Sequence, residues 1–108
     1  MSPEDAQHRL LQLLDERVFE PALQVWSESY PADKRAELAQ VQQATRKMRE
    51  RFHGFRSAEE IYRMFHDELS SGAAHAMHRK LRDLNLPTIA DIRIEFERTA
   101  RELGVGVA

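Results

Sequence analysis

Apolar residues recur every three or four positions along almost the whole of this chain, and proline and glycine fall at the joins between the runs. A 3.6-residue period puts such residues on one face of an α-helix, so the pattern confines the chain to short amphipathic helices packed on one another. Two runs open on capping-box sequences, Ser57-Ala58-Glu59-Glu60 and Thr88-Ile89-Ala90-Asp91. In each, the hydroxyl can accept the N–H of the third helical position and the acid there can reach back. The expected fold class is all-α, a small bundle of five or six short amphipathic helices with antiparallel neighbours. A single helical domain over residues 1–108 is expected, because a chain of 108 residues has the size of one domain with one modest core.

The first helix is expected over residues 3–18. Pro3 suits the first turn, Glu4 and Asp5 favour the positive end of the dipole, and Ala6, Leu10, Leu11, Leu13, Leu14 and Val18 form a wide stripe. Pro21 restarts or kinks the helix, and a short second one is expected to reach residue 30 with Leu23, Trp26 and Tyr30 on one side. Pro31 disfavours helical geometry at Tyr30 and ends it. The third helix, residues 32–53, differs in kind. Leu38, Val41, Met48 and Phe52, with Thr45 between them, form a narrow seam on an otherwise polar helix. That seam is too thin for burial inside a monomer alone, and it points to an antiparallel pair or a second subunit. Gly54 is expected to end the helix in the left-handed region.

From the Ser57 cap a fourth helix carries Ile61, Met64, Phe65 and Leu69 inward. Its apolar centre and that of Ala73, Ala76, Met77, Leu81 and Leu84 differ by roughly 110° on an unbroken wheel. A packed stripe does not jump in that way, so Ser70-Ser71-Gly72 is expected to break the helix, a serine capping the fifth. Asn85-Leu86-Pro87 is the next turn. The sixth helix, residues 88–103, aligns Ile89, Ile92, Phe96, Thr99, Ala100 and Leu103, and Gly104 and Val105 suit a Schellman end over Ala100.

There is no cysteine, which excludes disulfides, thiol catalysis and cysteine-based zinc sites. No apolar run approaches the ~20 residues of a membrane span, and Ser2-Pro3-Glu4-Asp5 is unlike a signal peptide, so a cytoplasmic protein without membrane association is expected. The net charge of −2 is laid down in blocks of alternating sign. Residues 1–33 hold seven acids and two bases, and residues 34–56 hold seven bases and two acids. Such blocks can complement one another within the fold.

Candidate chemistry is sparse. His75 and His78 stand three apart, close enough for one metal ion, but Arg79 and Arg82 share their face and supply no carboxylate, so no metal site is assigned. These four residues form instead the candidate nucleic-acid or anion site, a basic face over residues 75–82, although a pI of 6.2 is far from that of a dedicated binder. Glu68 projects toward Met64 and Phe65, and an arginine from another helix is expected to meet it. Glu59–Arg63 and Glu97–Arg101 have the acid-before-base spacing of helix-surface pairs, and His8 falls beside Asp15. None of the six serines lies in a Gly-x-Ser-x-Gly elbow, and there is no glycine-rich phosphate loop or cofactor motif. Ile94 lies roughly 170° from the apolar centre of its helix, where it is either an ordinary exposed isoleucine or is covered by a second layer of helices or a subunit.

The leading expectation is therefore a non-enzymatic helical interaction module. It would form a homo-oligomer or bind a protein partner, with Leu38, Val41, Met48 and Ile94 as the contact residues. Nucleic-acid or anion binding through residues 75–82 is the alternative, and a metal-dependent enzyme using Glu68 and a histidine is third.

Overall fold

A computed structural model describes residues 2–106. Its elements are α1 (Pro3–Leu14), a π turn (Asp15–Phe19), α2 (Glu20–Leu23), a 3-10 turn (Ser27–Ser29), α3 (Ala32–His53), α4 (Ala58–Ser70), α5 (Gly72–Asp83), a second 3-10 turn (Ile89–Ile92) and α6 (Arg93–Glu102). The first three run on without interruption, so the described residues form five helical rods and no strand, an all-α bundle. No helix among them is long and apolar enough to cross a membrane.

The first rod follows from Pro21. Proline has no N–H for the carbonyl four residues back, and its ring would collide with that carbonyl in a regular helix. The chain widens ahead of it instead, with the Glu20 N–H donating to the Asp15 carbonyl in the five-residue π spacing. The extra residue keeps the rod continuous while turning Val18, Phe19 and Ala22 inward. At its N-terminus Ser2 accepts the Asp5 N–H at 3.2 Å and donates its own N–H to the Asp5 carboxylate at 3.4 Å.

The rod ends earlier than the sequence pattern predicts. Instead of a helix reaching residue 30, α2 stops at Leu23, where a side chain from α3 takes one of its carbonyls and one just beyond its end. The Gln42 amide donates to the carbonyls of Val25 at 2.9 Å and Ala22 at 3.4 Å. Leu23, Trp26 and Tyr30 therefore share no face. Trp26 has extended backbone and points outward, whereas Tyr30 turns in and donates its hydroxyl to the Leu84 carbonyl at 2.8 Å.

Two apolar clusters hold the bundle. The larger joins α1, the π turn, α4 and α6, with Phe65 stacked on Phe96 at 3.9 Å between ring centroids and Phe19 against Phe52 at 5.9 Å. The smaller gathers Ala22, Leu38, Val41, Leu81, Leu84 and Leu86. Both α3 and the continuous first rod, through Phe19 and Ala22, contribute buried residues to both, and the molecule is elongated, 47 × 24 × 21 Å. The α3 seam is thus buried inside one chain, a correction to the expectation that a monomer could not cover it. With one cluster at each end of the seam, no wider stripe is needed.

The helix ends are largely as read. Ser57 accepts the Glu60 N–H at 3.2 Å, although the Glu60 carboxylate reaches past it to the Arg56 N–H at 3.3 Å. Asp91 accepts the Thr88 N–H at 2.9 Å, while the buried Thr88 hydroxyl has no hydrogen-bond partner among the described residues. The break between α4 and α5 is one extended residue, Ser71, whose carbonyl accepts the first bond of α5 from the His75 N–H. Ala76 is exposed rather than part of the inner face of α5, and the side chain of Ala73 lies outside the described residues.

Gly104, at φ +74°, forms the expected Schellman end, with Val105 donating to the Ala100 carbonyl at 2.8 Å. Asn85, at φ +59°, builds the same motif after α5, with Leu86 donating to the Leu81 carbonyl at 2.8 Å. Gly54 departs from expectation. It ends α3 at φ −81°, a conformation open to any residue, because its N–H still reaches the Glu50 and Arg51 carbonyls.

These backbone differences separate two otherwise similar substitutions. Gly104→Ala adds a Cβ in open space but forces it into the left-handed region, and should cost about 1 kcal/mol. Gly54→Ala meets only ordinary contacts, the nearest at 3.4 Å, and should leave stability within about 0.5 kcal/mol. Urea unfolding of the two variants beside the parent protein checks the contrast.

Candidate functional site

The basic face of α5 divides in two. His75, Arg79 and Arg82 are exposed, but His78 is buried, with 8% of its surface accessible. The His75 Nε2–H donates to the Leu69 carbonyl at 3.0 Å, so this ring closes the end of α4. His78 lies 6.4 Å from it between ring centroids, and the His78 Nε2 has no hydrogen-bond partner among the described residues. Burial, the greatest effect, and the nearby His75 and Arg82 push the His78 pKa below its usual value; Asp91 and Glu68 oppose them. The four residues read as one solvated face are therefore three surface groups and one buried imidazole.

His78 borders a cavity of about 20 Å³ together with Phe19, Thr45, Met48, Leu81 and Ile89. That is far short of the ~150 Å³ that admits a benzene ring. The larger hollows are open depressions, one of about 410 Å³ bounded by Leu23, Gln24, Val25 and Trp26.

Of the residues expected to meet a partner, Leu38 and Val41 are core residues, 0% and 1% exposed. Met48 is half-buried beside the cavity. Ile94 alone of the four stands free, at 73%. Trp26, expected to share one side of a helix with Leu23 and Tyr30, is 75% exposed. Its exposure depends on the early end of α2, which the helical pattern conceals.

The acids are mostly engaged across helices. Arg51 of α3 meets Glu68 of α4 at 3.2 Å, the pairing expected for that acid. Asp15, at the start of the π turn, accepts from Arg49 at 3.2 Å and from His53 at 2.9 Å. The partners of Asp15 thus come from α3. The only sequence signal of this cluster was that Arg49 and His53 stand one helical turn apart. Glu97 pairs with Arg93 at 3.3 Å and lies 3.7 Å from His66, and Glu59 accepts the Gly106 N–H at 3.1 Å. The expected Glu97–Arg101 and Glu59–Arg63 pairs are not among the ion pairs of the described residues.

Chemically, the His53–Asp15 and His66–Glu97 pairs each set an acid beside an imidazole, yet no hydroxyl hydrogen-bonds either ring among the described residues. Neither pair makes a nucleophile–base–acid set. No group of three metal-ligating side chains forms among the described residues. Compared with protein-family models, curated proteins and solved structures, the chain matches none.

The burial difference between Leu38 and Ile94 gives a direct check. Leu38→Glu places a carboxylate where the leucine is fully enclosed and should destabilise by more than about 3 kcal/mol. Ile94→Glu should change stability by less than about 0.5 kcal/mol. Thermal unfolding of both variants measures it.

Proposed function

We propose that the chain is a non-enzymatic interaction module that self-associates or binds another protein through Trp26 and Ile94. The observation carrying this reading is that these two large apolar side chains are 75% and 73% exposed, although the other large apolar groups among the described residues are wholly or partly buried. Tryptophan concentrates binding energy at protein interfaces, because one flat ring buries a large area with little loss of rotamer freedom. Leu23 and Val25 border the same open hollow as Trp26, so a partner side chain would meet an apolar floor there. Leu38 and Val41 belong to the fold and are left out of the contact; Met48 is left out as well. A cytoplasmic setting is part of the reading, and a chain without cysteine depends on no oxidising compartment for its fold.

Trp26 is the only tryptophan, so its fluorescence reports on its own surroundings without a label. Sedimentation and emission are measured together from low micromolar to several hundred micromolar protein. Self-association through these residues predicts a mass rising toward two chains and a blue shift of emission; Trp26→Ala should weaken the rise in mass, and Ile94→Glu should weaken both. A single-chain mass with unmoved emission across the whole range would remove self-association.

A second reading has one observation in its favour. Arg79, Lys80 and Arg82 are exposed and form no ion pair with the described residues, leaving a short basic strip for an anion or nucleic acid. Binding to a short duplex would then weaken steeply with added salt and fall in Arg79→Ala and Arg82→Ala. Failure to bind at low salt would eliminate it.

A further inference from the structure

His78 sits where the two apolar clusters meet. The cavity beside its ring is bordered by Phe19 and Ile89 of the larger cluster and by Ala22 and Leu81 of the smaller. An imidazole enclosed in this way, with Nε2 unpartnered among the described residues, is favoured there in its neutral form. A second proton would leave a buried cation with no carboxylate in hydrogen-bond contact with that nitrogen.

The charges around it come from three elements. His75 and Arg82, on α5 itself, oppose protonation. Asp91 of the second 3-10 turn and Glu68 of α4 favour it, but both are already engaged: Asp91 with the Thr88 N–H at 2.9 Å and Glu68 with Arg51 at 3.2 Å. The groups of α2, α3 and the π turn that border the cavity are uncharged.

We propose that His78 is a proton-operated latch: neutral, it docks α5 across the joint between the two clusters, and protonated, it leaves the joint and α5 lifts from α3. Leu81 and Leu84 would lift with it, since both lie on α5 or just after it and belong to the smaller cluster. Acidification would thus expose apolar surface that neutral pH conceals.

An undocked imidazole titrates near 6.5, and the docked one lower. Between those two values the open state binds more protons, so the docked state is fully favoured above pH 6.5 and loses ground as the pH falls below it. The loss ends once the pH is below the docked value. Within the window each pH unit changes the docked-to-open ratio by up to about tenfold.

The test follows the His78 ring and the Leu81 and Leu84 methyl signals by NMR through a pH titration of the whole chain. The latch requires the ring to titrate below 6.5 and the methyl signals to move with the same midpoint. In parallel, urea unfolding from about pH 7.5 to about pH 5 should weaken the parent protein more than His78→Leu, which keeps the bulk but cannot take a proton. A ring titrating at or above 6.5 would overturn the proposal, as would methyl signals unmoved by its titration. Equal pH profiles for parent and variant would overturn it too. The NMR titration stands by itself should His78→Leu fail to fold.

Discussion

The structure depends on α3 having its narrow apolar seam covered from both ends by the same chain. Leu38 and Val41 pack with Ala22, Leu81 and Leu84, and Phe52 packs against Phe19 in the larger cluster. A stripe one side chain wide would be a poor face for a helix lying on one broad core. It suits a 22-residue helix that bridges two clusters. The elongated shape and the placing of His78 at the joint follow from that arrangement.

Polar contacts directed at α3 fix the other elements to it. Gln42 takes the carbonyls of Ala22 in α2 and Val25 just after it, Arg49 and His53 hold Asp15 at the π turn, and Arg51 holds Glu68 of α4. The exposed members of the ion pairs add little free energy each, because water screens them. Their contribution is register. A helix with one narrow seam can rotate about its axis at small cost, and contacts on its other faces remove that freedom. Gln42 does more, since it satisfies backbone carbonyls that would otherwise lack partners at the end of α2.

Local chemistry was legible in the sequence and long-range chemistry was not. The span of α3, the break at Ser71, the Ser57 cap and the Gly104 end each depend on residues within a turn or two of one another. The π turn was read only as a kink at Pro21, since either response relieves the same clash. The end of α2 meets Gln42, about 20 residues distant, and no spacing within residues 20–30 announces it. Asn85 ends α5 just as Gly104 ends α6, yet a lone asparagine before Leu-Pro reads as an ordinary turn.

The same division governs the candidate surfaces. Ile94 was found because it breaks the period of its own helix. His78 reads from the pattern as a surface group, although its spacing of three from Leu81 sets it at the edge of the inner face. Which side of that edge it occupies depends on α3 and the second 3-10 turn. Leu38 and Val41 were recognised as needing cover, but nothing near them in sequence told whether that cover came from the chain itself.

The central claim is that α3 ties both clusters into one cooperative unit. Native-state hydrogen exchange at a pH where His78 is neutral tests it most directly. The account predicts that amides along α3, from Leu38 through Phe52, exchange with one shared free energy equal to that of global unfolding. Faster exchange by local opening around Leu38 and Val41, with Phe52 still protected, would contradict it.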